Sequence, residues 1–172
     1  MPATWVGALV AISLALANQA PKRTPDIHYT PTRHNIAEAM LKLAEVTSRD
    51  VVFDLGSGDG RLPILAAQLN GARAVGVEID PRLVALSRQN AKDAGVADRV
   101  TFIEGDLFTA DISQATVVLL YLSTSVLREL EPKLKRELQP GARIVSHQFW
   151  FPGWPAERTL RVDDKELFLW RR

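Results

Sequence analysis

The sequence predicts an α/β fold in which a mostly parallel, twisted sheet carries helices on both faces and ends in a C-terminal antiparallel hairpin. Three observations support this fold class. Short apolar runs alternate with helix-like periodicity between residues 35 and 148. A glycine-rich turn directly follows the first apolar run, and acidic residues close the next two runs. The 172 residues are sufficient for one domain of this kind and leave no room for a second.

Hydrophobic periodicity predicts each element in turn. Residues 35–46 place apolar side chains at helical spacing, which indicates an amphipathic helix that packs on the sheet. Two short apolar runs, 160–162 and 167–169, predict the closing hairpin. Between the first helix and this hairpin, the alternation predicts strands at 51–55, 73–78, 100–104, 116–122 and 142–148, and helices at 61–69, 81–94 and 124–137.

The composition argues against two classes of partner. Lys and Arg number 21 and Asp and Glu number 20, so the net charge of +1 gives no electrostatic reason to expect a nucleic acid. The chain has no cysteine, which excludes disulfides and thiolate metal sites, and its three scattered histidines give no basis for a zinc site. We therefore predict neither a nucleic-acid partner nor a metal.

The first 21 residues contain no charged side chain and include an apolar run from Trp5 to Ala17. This segment is long enough for a membrane anchor, but it also resembles a signal peptide cut near residues 15–17, and a packed soluble helix is a third interpretation. Lys22 and Arg23 follow the run directly. By the positive-inside rule, we predict a retained anchor at 1–21, a linker at 22–31 and a folded domain at 32–172 that faces the cytoplasm, with export after signal cleavage as the alternative.

The first strand leads into a glycine-rich loop at residues 56–60, GSGDG. Glycine allows the main chain to turn with positive φ and to approach a ligand closely, although such a loop alone is also explained by a tight strand-to-helix turn. Glu78 closes the next strand 22 positions after Gly56, where a carboxylate can accept both hydrogen bonds of a ribose diol. The loop and the acid together predict a nucleoside-binding site.

The charges around this loop distinguish between possible nucleoside cofactors. Dinucleotide sites use the spacing GxGxxG, whereas this loop reads GxGxG, and Asp54 and Asp59 place negative charge where a pyrophosphate would lie. The same acids suit the cationic amino-acid end of S-adenosylmethionine, which we predict as the cofactor. Asp106, after the third strand, either accepts from the adenine amine or only stabilises its turn. The predicted cofactor-binding residues are Thr32, Asp54, Gly56, Ser57, Gly58, Gly60, Glu78, Ile79, Asp106 and Leu107.

The motifs DLGSGDGR, VGVEID and EGDLF resemble those of class I methyltransferases, which implies a Rossmann-like fold. More narrowly, the segments HYTPTRHNIAEAMLKLAEV and SHQFWFPGW resemble the family of the archaeal broad-specificity protein-lysine methyltransferase and the mitochondrial enzymes that methylate lysines of the ATP synthase c subunit and of the adenine nucleotide translocase. The resemblance covers roughly residues 28–154. It implies methyl transfer to lysine in a protein substrate, including membrane proteins. Arg33 stands where a proline is common in the family, and Thr30 where a valine-like residue is common, which affects substrate range.

A sulfonium methyl donor is already activated, so the protein needs mainly to align a neutral amine with the methyl group. Burial in an apolar channel lowers the pKa of a lysine ammonium group, so no dedicated base is required. Candidates for the catalytic site are Tyr29, before the first helix, and Tyr121, Ser123 and His147, which follow strands at the edge where such sheets bind ligands. Tyr29 and His147 also have structural explanations, as a packing residue and as a buried histidine.

Other acceptors and other functions stay open at this level. The Asp/Asn-Pro-Pro-Tyr signature, typical of enzymes that methylate base or amide nitrogens, is missing after the fourth strand, which favours an aliphatic amine. A membrane-attached methyltransferase for small or lipophilic molecules is the alternative. A third hypothesis is a Rossmann-like binding module without catalysis.

Overall fold

The structure is a computed structural model that describes residues 29–172, and its helices and strands alternate as the hydrophobic pattern predicts. In chain order the elements are α1 (His34–Leu43), β1 (Val51–Leu55), α2 (Arg61–Asn70), β2 (Arg73–Glu78), α3 (Pro81–Asp93), β3 (Val100–Glu104), β4 (Val117–Leu120), α4 (Thr124–Glu137), β5 (Arg143–His147), β6 (Arg158–Val162) and β7 (Lys165–Arg171).

The strands form one sheet in the order β3-β2-β1-β4-β5-β7-β6, which confirms the predicted fold class. Strands β1 to β5 pair parallel with one another, and β7 pairs antiparallel with both β5 and β6. The C-terminal hairpin is longer than the apolar runs at 160–162 and 167–169 indicate. Its second strand lies inside the sheet because Leu167, Leu169 and Trp170 are buried, whereas most of β6 is exposed and forms the edge.

The core lies on both faces of the sheet. On one face, apolar side chains of α1, α2 and α3, such as Ile36, Leu62 and Val84, pack against the strands. On the other face, α4 buries Leu127 and Leu130 against a second set of strand residues. Because side chains alternate along each strand, the central strands β1, β4 and β5 are almost fully buried on both sides, as strands covered by helices on two faces require, whereas the edge strand β3 is partly exposed.

Apart from the hairpin, two predicted elements have a bound that differs from the structure by more than one residue. Helix α1 ends at Leu43 rather than at residue 46, because Glu45 adopts a left-handed conformation with φ 53° that an α-helix does not allow. Strand β4 covers 117–120 rather than 116–122. Residues Tyr121 and Leu122 therefore leave the ladder at the carboxyl end of the sheet, where they line the cleft described below.

The membrane-anchored location predicted from the sequence is wrong for the part of the chain that the structure describes. Within residues 29–172, no helix is both long enough and apolar enough to cross a bilayer. The apolar segment 1–21, from which the anchor and the signal peptide were inferred, lies outside the described residues, as does the linker up to residue 28.

Candidate functional site

A cleft opens at the carboxyl ends of β1, β2, β3 and β4, on the edge of the sheet where open α/β folds bind ligands. The glycine-rich loop forms its floor. Gly58 has a φ of +54°, and a Cβ added there would lie 2.5 Å from Cε2 of Tyr29. The Tyr29 ring therefore lies directly on the main chain of the loop, in space that only glycine leaves free.

Glu78 is buried at the end of β2, and its carboxylate organises the loop. Oε2 accepts a hydrogen bond from the main-chain N–H of Gly58 at 2.8 Å, and Oε1 accepts from those of Ile79 and Asp80 at 2.8 and 2.9 Å. A carboxylate has about four lone-pair sites. Glu78 thus holds the glycine loop against β2 in addition to facing the cleft, a structural role that sequence spacing did not predict.

Asp54 lies at the carboxyl half of β1, is 3% exposed and lines the cleft. Burial, together with the negative charges of Glu78 and Asp59, raises the pKa of Asp54 to about 8. The desolvated carboxyl group holds its proton near neutral pH, and a cation bound beside it would favour the ionised form. Such a site suits a ligand that carries a positive charge.

Replacing Asp54 by Asn should remove a pH-dependent cost of folding. The pKa of Asp54 is about 8 in the folded protein against 3.8 as its ordinary value, so the folded state binds the extra proton and stability falls as the pH rises from about 4 to 8. We expect Asp54→Asn to raise the free energy of unfolding by about 1–3 kcal/mol at pH 8 and to change it little at pH 4. Urea unfolding at the two pH values measures this, and an equal effect at both would contradict it.

The chain just before α1, residues 29–32, forms one wall of the cleft, and we call it the leading segment. Thr32 is buried, and its main-chain oxygen accepts a hydrogen bond from Nη1 of Arg61 at 2.8 Å. The same guanidinium binds Asp59 at two points, Nε to Oδ1 at 3.0 Å and Nη2 to Oδ2 at 2.7 Å. Arg61 therefore joins the leading segment to the glycine loop.

Asp106 follows β3 at the opposite wall, together with Leu107. Its Oδ1 accepts from the main-chain N–H of Phe108 at 2.8 Å, so the acid stabilises its own turn and faces the cleft at the same time. Both interpretations of Asp106 made from the sequence are therefore compatible with its position.

The candidates after β4 and β5 are not all on the cleft. Tyr121 lines it, and its ring stacks on that of His147 with 4.0 Å between centroids. His147 is buried behind Tyr121 and is not a lining residue, and its two ring nitrogens have no hydrogen-bond partner among the described residues. Burial, together with the charges of Lys165 and Arg33, lowers the pKa of His147 to about 4, so the ring is neutral at physiological pH. Ser123 precedes α4, and its hydroxyl lies 2.9 Å from that of Ser125, also away from the lining residues.

Of the predicted cofactor-binding residues, the structure brings Thr32, Asp54, Gly56, Ser57, Gly58, Glu78, Ile79, Asp106 and Leu107 together around the cleft. Gly60 ends the loop and packs against Phe102 and Ser87, so it is not among the lining residues. Sequence reasoning did not identify Arg61 as a site residue. Its position at the start of α2 was predictable, but its contact with Thr32, 29 positions earlier in the chain, was not. Asp59, which was predicted from the sequence to lie at the amino-acid end of the cofactor, and Leu122, beside Tyr121, also line the cleft. Further lining residues that sequence reasoning did not single out as ligands are Leu62, Val77, Asp80, Leu83, Gly105, Phe108 and Val126.

Negative charge dominates the cleft. Carboxyl groups come from Asp54, Asp59, Glu78, Asp80 and Asp106, whereas Arg61 is the basic residue on the lining formed by the described part of the chain. A cleft of one sign with low-dielectric walls attracts ligands of the opposite charge. Within residues 29–172 no cluster of three or more histidine or acidic side chains is arranged to hold a metal ion.

Comparison with known proteins is consistent with this geometry. The sequence pattern of the ANTKMT methyltransferase domain matches residues 54–158, from the end of β1 to the start of β6. A protein-lysine N-methyltransferase of the archaeon Saccharolobus islandicus is 43% identical over 83% of this chain and 89% of its own length. The lysine N-methyltransferase of the ATP synthase c subunit in Xenopus laevis is 36% identical over 86% of this chain, and the match spans 66% of the length of that enzyme.

Among solved structures, an RNA methyltransferase from Salinibacter ruber in complex with S-adenosyl-L-homocysteine is 51% identical, with a TM-score of 0.82. The match covers 83% of this chain and 93% of that protein. The similarity in fold and sequence thus extends over most of both chains.

Proposed function

Because the chain belongs to the ANTKMT methyltransferase domain family, we propose that it transfers the methyl group of S-adenosylmethionine to the ε-amino group of lysine in a protein substrate. The proposed methyltransferase domain spans residues 32–172, as predicted from the sequence. The residues proposed to bind the cofactor are Thr32, Asp54, Gly56, Ser57, Gly58, Gly60, Glu78, Ile79, Asp106 and Leu107, with Gly60 acting through the shape of the loop.

The residues of the cleft fit this cofactor chemically. Glu78 accepts three main-chain hydrogen bonds and keeps about one acceptor site for a ribose hydroxyl, and Asp106 also lines the cleft, where it can accept from an amine on a purine. The buried carboxyl group of Asp54 is suited to an α-ammonium group, since a positive charge there would stabilise its ionised form. Ser57 lines the cleft, while its buried hydroxyl lies beside Gly76 and has no partner among the described residues.

When bound, S-adenosylmethionine supplies a methyl group activated by the positive charge on sulfur. The chain's own residues then have to admit a lysine side chain, exclude water and hold the amine in line. Tyr121, Leu122 and Val126 give one wall of the cleft an apolar surface that lowers the pKa of an incoming ammonium group. The lysine loses its proton to solvent and attacks as a neutral amine, and a C–N bond forms as the C–S bond breaks.

Tyr29 and Tyr121 are the residues proposed to orient the acceptor. We assign His147 the supporting position behind Tyr121, because a neutral ring at 4.0 Å can hold the tyrosine ring in place without repelling a cationic substrate. A histidine with a pKa of about 4 is a poor proton acceptor for an amine, so we give it no role as a base. Ser123 is retained as a weaker candidate, since it adjoins the wall that Leu122 forms.

This arrangement predicts a specific pH profile. Turnover should rise with pH above neutrality as the lysine loses its proton, and it should show no inflection near 6.5, the ordinary pKa of histidine, because burial lowers the pKa of His147 to about 4. Steady-state rates between about pH 5.5 and 9 measure the profile. An inflection near 6.5 that disappears in His147→Phe would show that His147 is protonated and takes part in the reaction.

The observation that carries lysine as the acceptor is the similarity to protein-lysine N-methyltransferases, of which the Saccharolobus islandicus enzyme is 43% identical over 83% of this chain. The apolar wall formed by Tyr121, Leu122 and Val126 suits the aliphatic part of a lysine side chain. The chain also lacks the Asp/Asn-Pro-Pro-Tyr signature after β4. RNA methylation is the second candidate, favoured by the description of the Salinibacter ruber relative.

One experiment separates these acceptors. The purified protein is incubated with S-adenosylmethionine labelled in the methyl group and, in parallel, with total protein, with the same protein after chemical acetylation of its lysines, with total RNA, and with a lipid extract. We expect the label in methyl-lysine after acid hydrolysis of the untreated protein and its loss after acetylation. Label in nucleosides would favour the RNA candidate, and label in the organic phase would indicate a lipophilic acceptor. Glu78→Ala serves as the control for enzyme-dependent transfer.

A further inference from the structure

Arg61 connects two parts of the chain that are far apart in sequence. It begins α2 directly after the glycine loop, binds both oxygens of Asp59 in that loop and donates to the main-chain oxygen of Thr32 in the leading segment. Two-point contacts between a guanidinium and a carboxylate fix orientation as well as distance. Arg61 is thereby held in position by the loop while its remaining edge holds the leading segment.

The leading segment is placed where it controls access to the cofactor loop. The Tyr29 ring occupies the space above Gly58, and residues 29–32 form a wall of the cleft. The Tyr29 hydroxyl also interacts with Asp59 and Arg61, and burial together with the Asp59 charge raises the pKa of Tyr29. Asp59 is therefore shared between the loop, Arg61 and the segment that covers the loop.

We propose that Arg61 is a positioning residue that latches the leading segment over the glycine loop, so that S-adenosylmethionine and S-adenosylhomocysteine enter and leave only when its bond to Thr32 opens. The inference rests on the proposed cofactor site. A helix N-terminus that binds phosphate does so through free main-chain N–H groups. Here the main-chain N–H of Arg61 donates to Oδ1 of Asp59 at 3.3 Å, so the start of α2 is used to hold the loop rather than a phosphate.

The chain offers a matched control for this latch. Arg82 lies in the first turn of α3 and binds Asp80 with the same geometry, Nε to Oδ1 at 3.1 Å and Nη2 to Oδ2 at 2.7 Å. Its side chain is 89% exposed against 39% for Arg61, because it points away from the other described segments. Arg61→Met and Arg82→Met therefore remove similar local pairs, and only the first releases the leading segment.

The test measures S-adenosylhomocysteine release by stopped-flow and hydrogen exchange of the 29–33 amides by mass spectrometry. In Arg61→Met we expect the dissociation rate to rise about tenfold and the 29–33 amides to exchange faster, as loss of charge-assisted hydrogen bonds implies. Arg82→Met should stay within about twofold of the unmodified protein. Arg61→Lys keeps a donor for Thr32 but loses the two-point contact with Asp59, so it should lie between the two.

The possible failures can be told apart. If Arg61→Met and Arg82→Met release the ligand at the same rate, or if exchange of the 29–33 amides does not change, the latch is wrong while the cofactor site stands. If the unmodified protein does not bind S-adenosylhomocysteine, the proposed function itself fails. A thermal melt of each variant shows whether the fold is intact, and Arg61→Lys replaces Arg61→Met in the comparison if the latter unfolds.

Discussion

Glu78→Ala is expected to weaken the binding of S-adenosylmethionine by about 2–3 kcal/mol, which corresponds to a rise of roughly 30- to 150-fold in Kd. Two losses add. The substitution removes the acceptor proposed for the ribose diol, and it also releases the main-chain N–H groups of Gly58, Ile79 and Asp80 that the carboxylate now accepts from. The glycine loop should therefore lose its fixed position against β2 as well as its ligand contact.

Calorimetric titration with S-adenosylhomocysteine measures this effect. Glu104→Ala provides the control, because Glu104 closes β3 directly opposite Glu78 in the ladder but does not line the cleft. We expect the control to bind with nearly unchanged affinity. An unchanged Kd in Glu78→Ala, with the fold intact, would mean that neither the carboxylate nor its hold on the loop contributes to binding and that the ribose lies elsewhere.

Gly60→Ala is expected to destabilise the fold by about 2–5 kcal/mol, the sum of a conformational and a packing cost. A left-handed conformation costs a non-glycine residue about 1–2 kcal/mol, and Gly60 has a φ of +81°. The added Cβ would also lie 2.5 Å from Cζ of Phe102 and 2.8 Å from Cβ of Ser87, both of which are buried, and such overpacking costs about a further 1–3 kcal/mol.

Gly95→Ala separates these two costs. Gly95 has a similar φ of +70°, but a Cβ there would meet nothing within 4 Å among the described residues, so this variant should lose only the conformational term of about 1–2 kcal/mol. Urea denaturation of both variants gives the comparison. Equal losses would show that α2 moves away from Phe102 without cost and that the close packing at Gly60 is not required.

The alternation of strands and helices was predictable because each element carries its own period of apolar residues. The spacing of the glycine loop and Glu78 was predictable for a related reason: the end of β1 and the end of β2 are adjacent in any parallel sheet of this kind, so residues 22 positions apart meet. The family resemblance added the proposed acceptor, which periodicity alone does not contain.

The N-terminal segment shows where sequence reasoning went beyond its support. Length and flanking charge suggested a membrane anchor, yet these describe only the 1–21 segment and carry no information about its surroundings. The helices that the structure describes contain no membrane span. Hydropathy measures a preference for an apolar environment, and the interior of a protein and a bilayer both provide one.

By itself, the sequence determined the order of the strands and helices, and that the glycine loop and Glu78 lie at adjacent strand ends, because these depend on local period and on neighbouring strand ends. Only the tertiary structure decided that β7 lies between β5 and β6, that His147 lies behind Tyr121, and that Arg61 reaches Thr32. Each of these contacts joins residues from separate elements, and its formation depends on how the whole sheet and its helices pack, which no local pattern records.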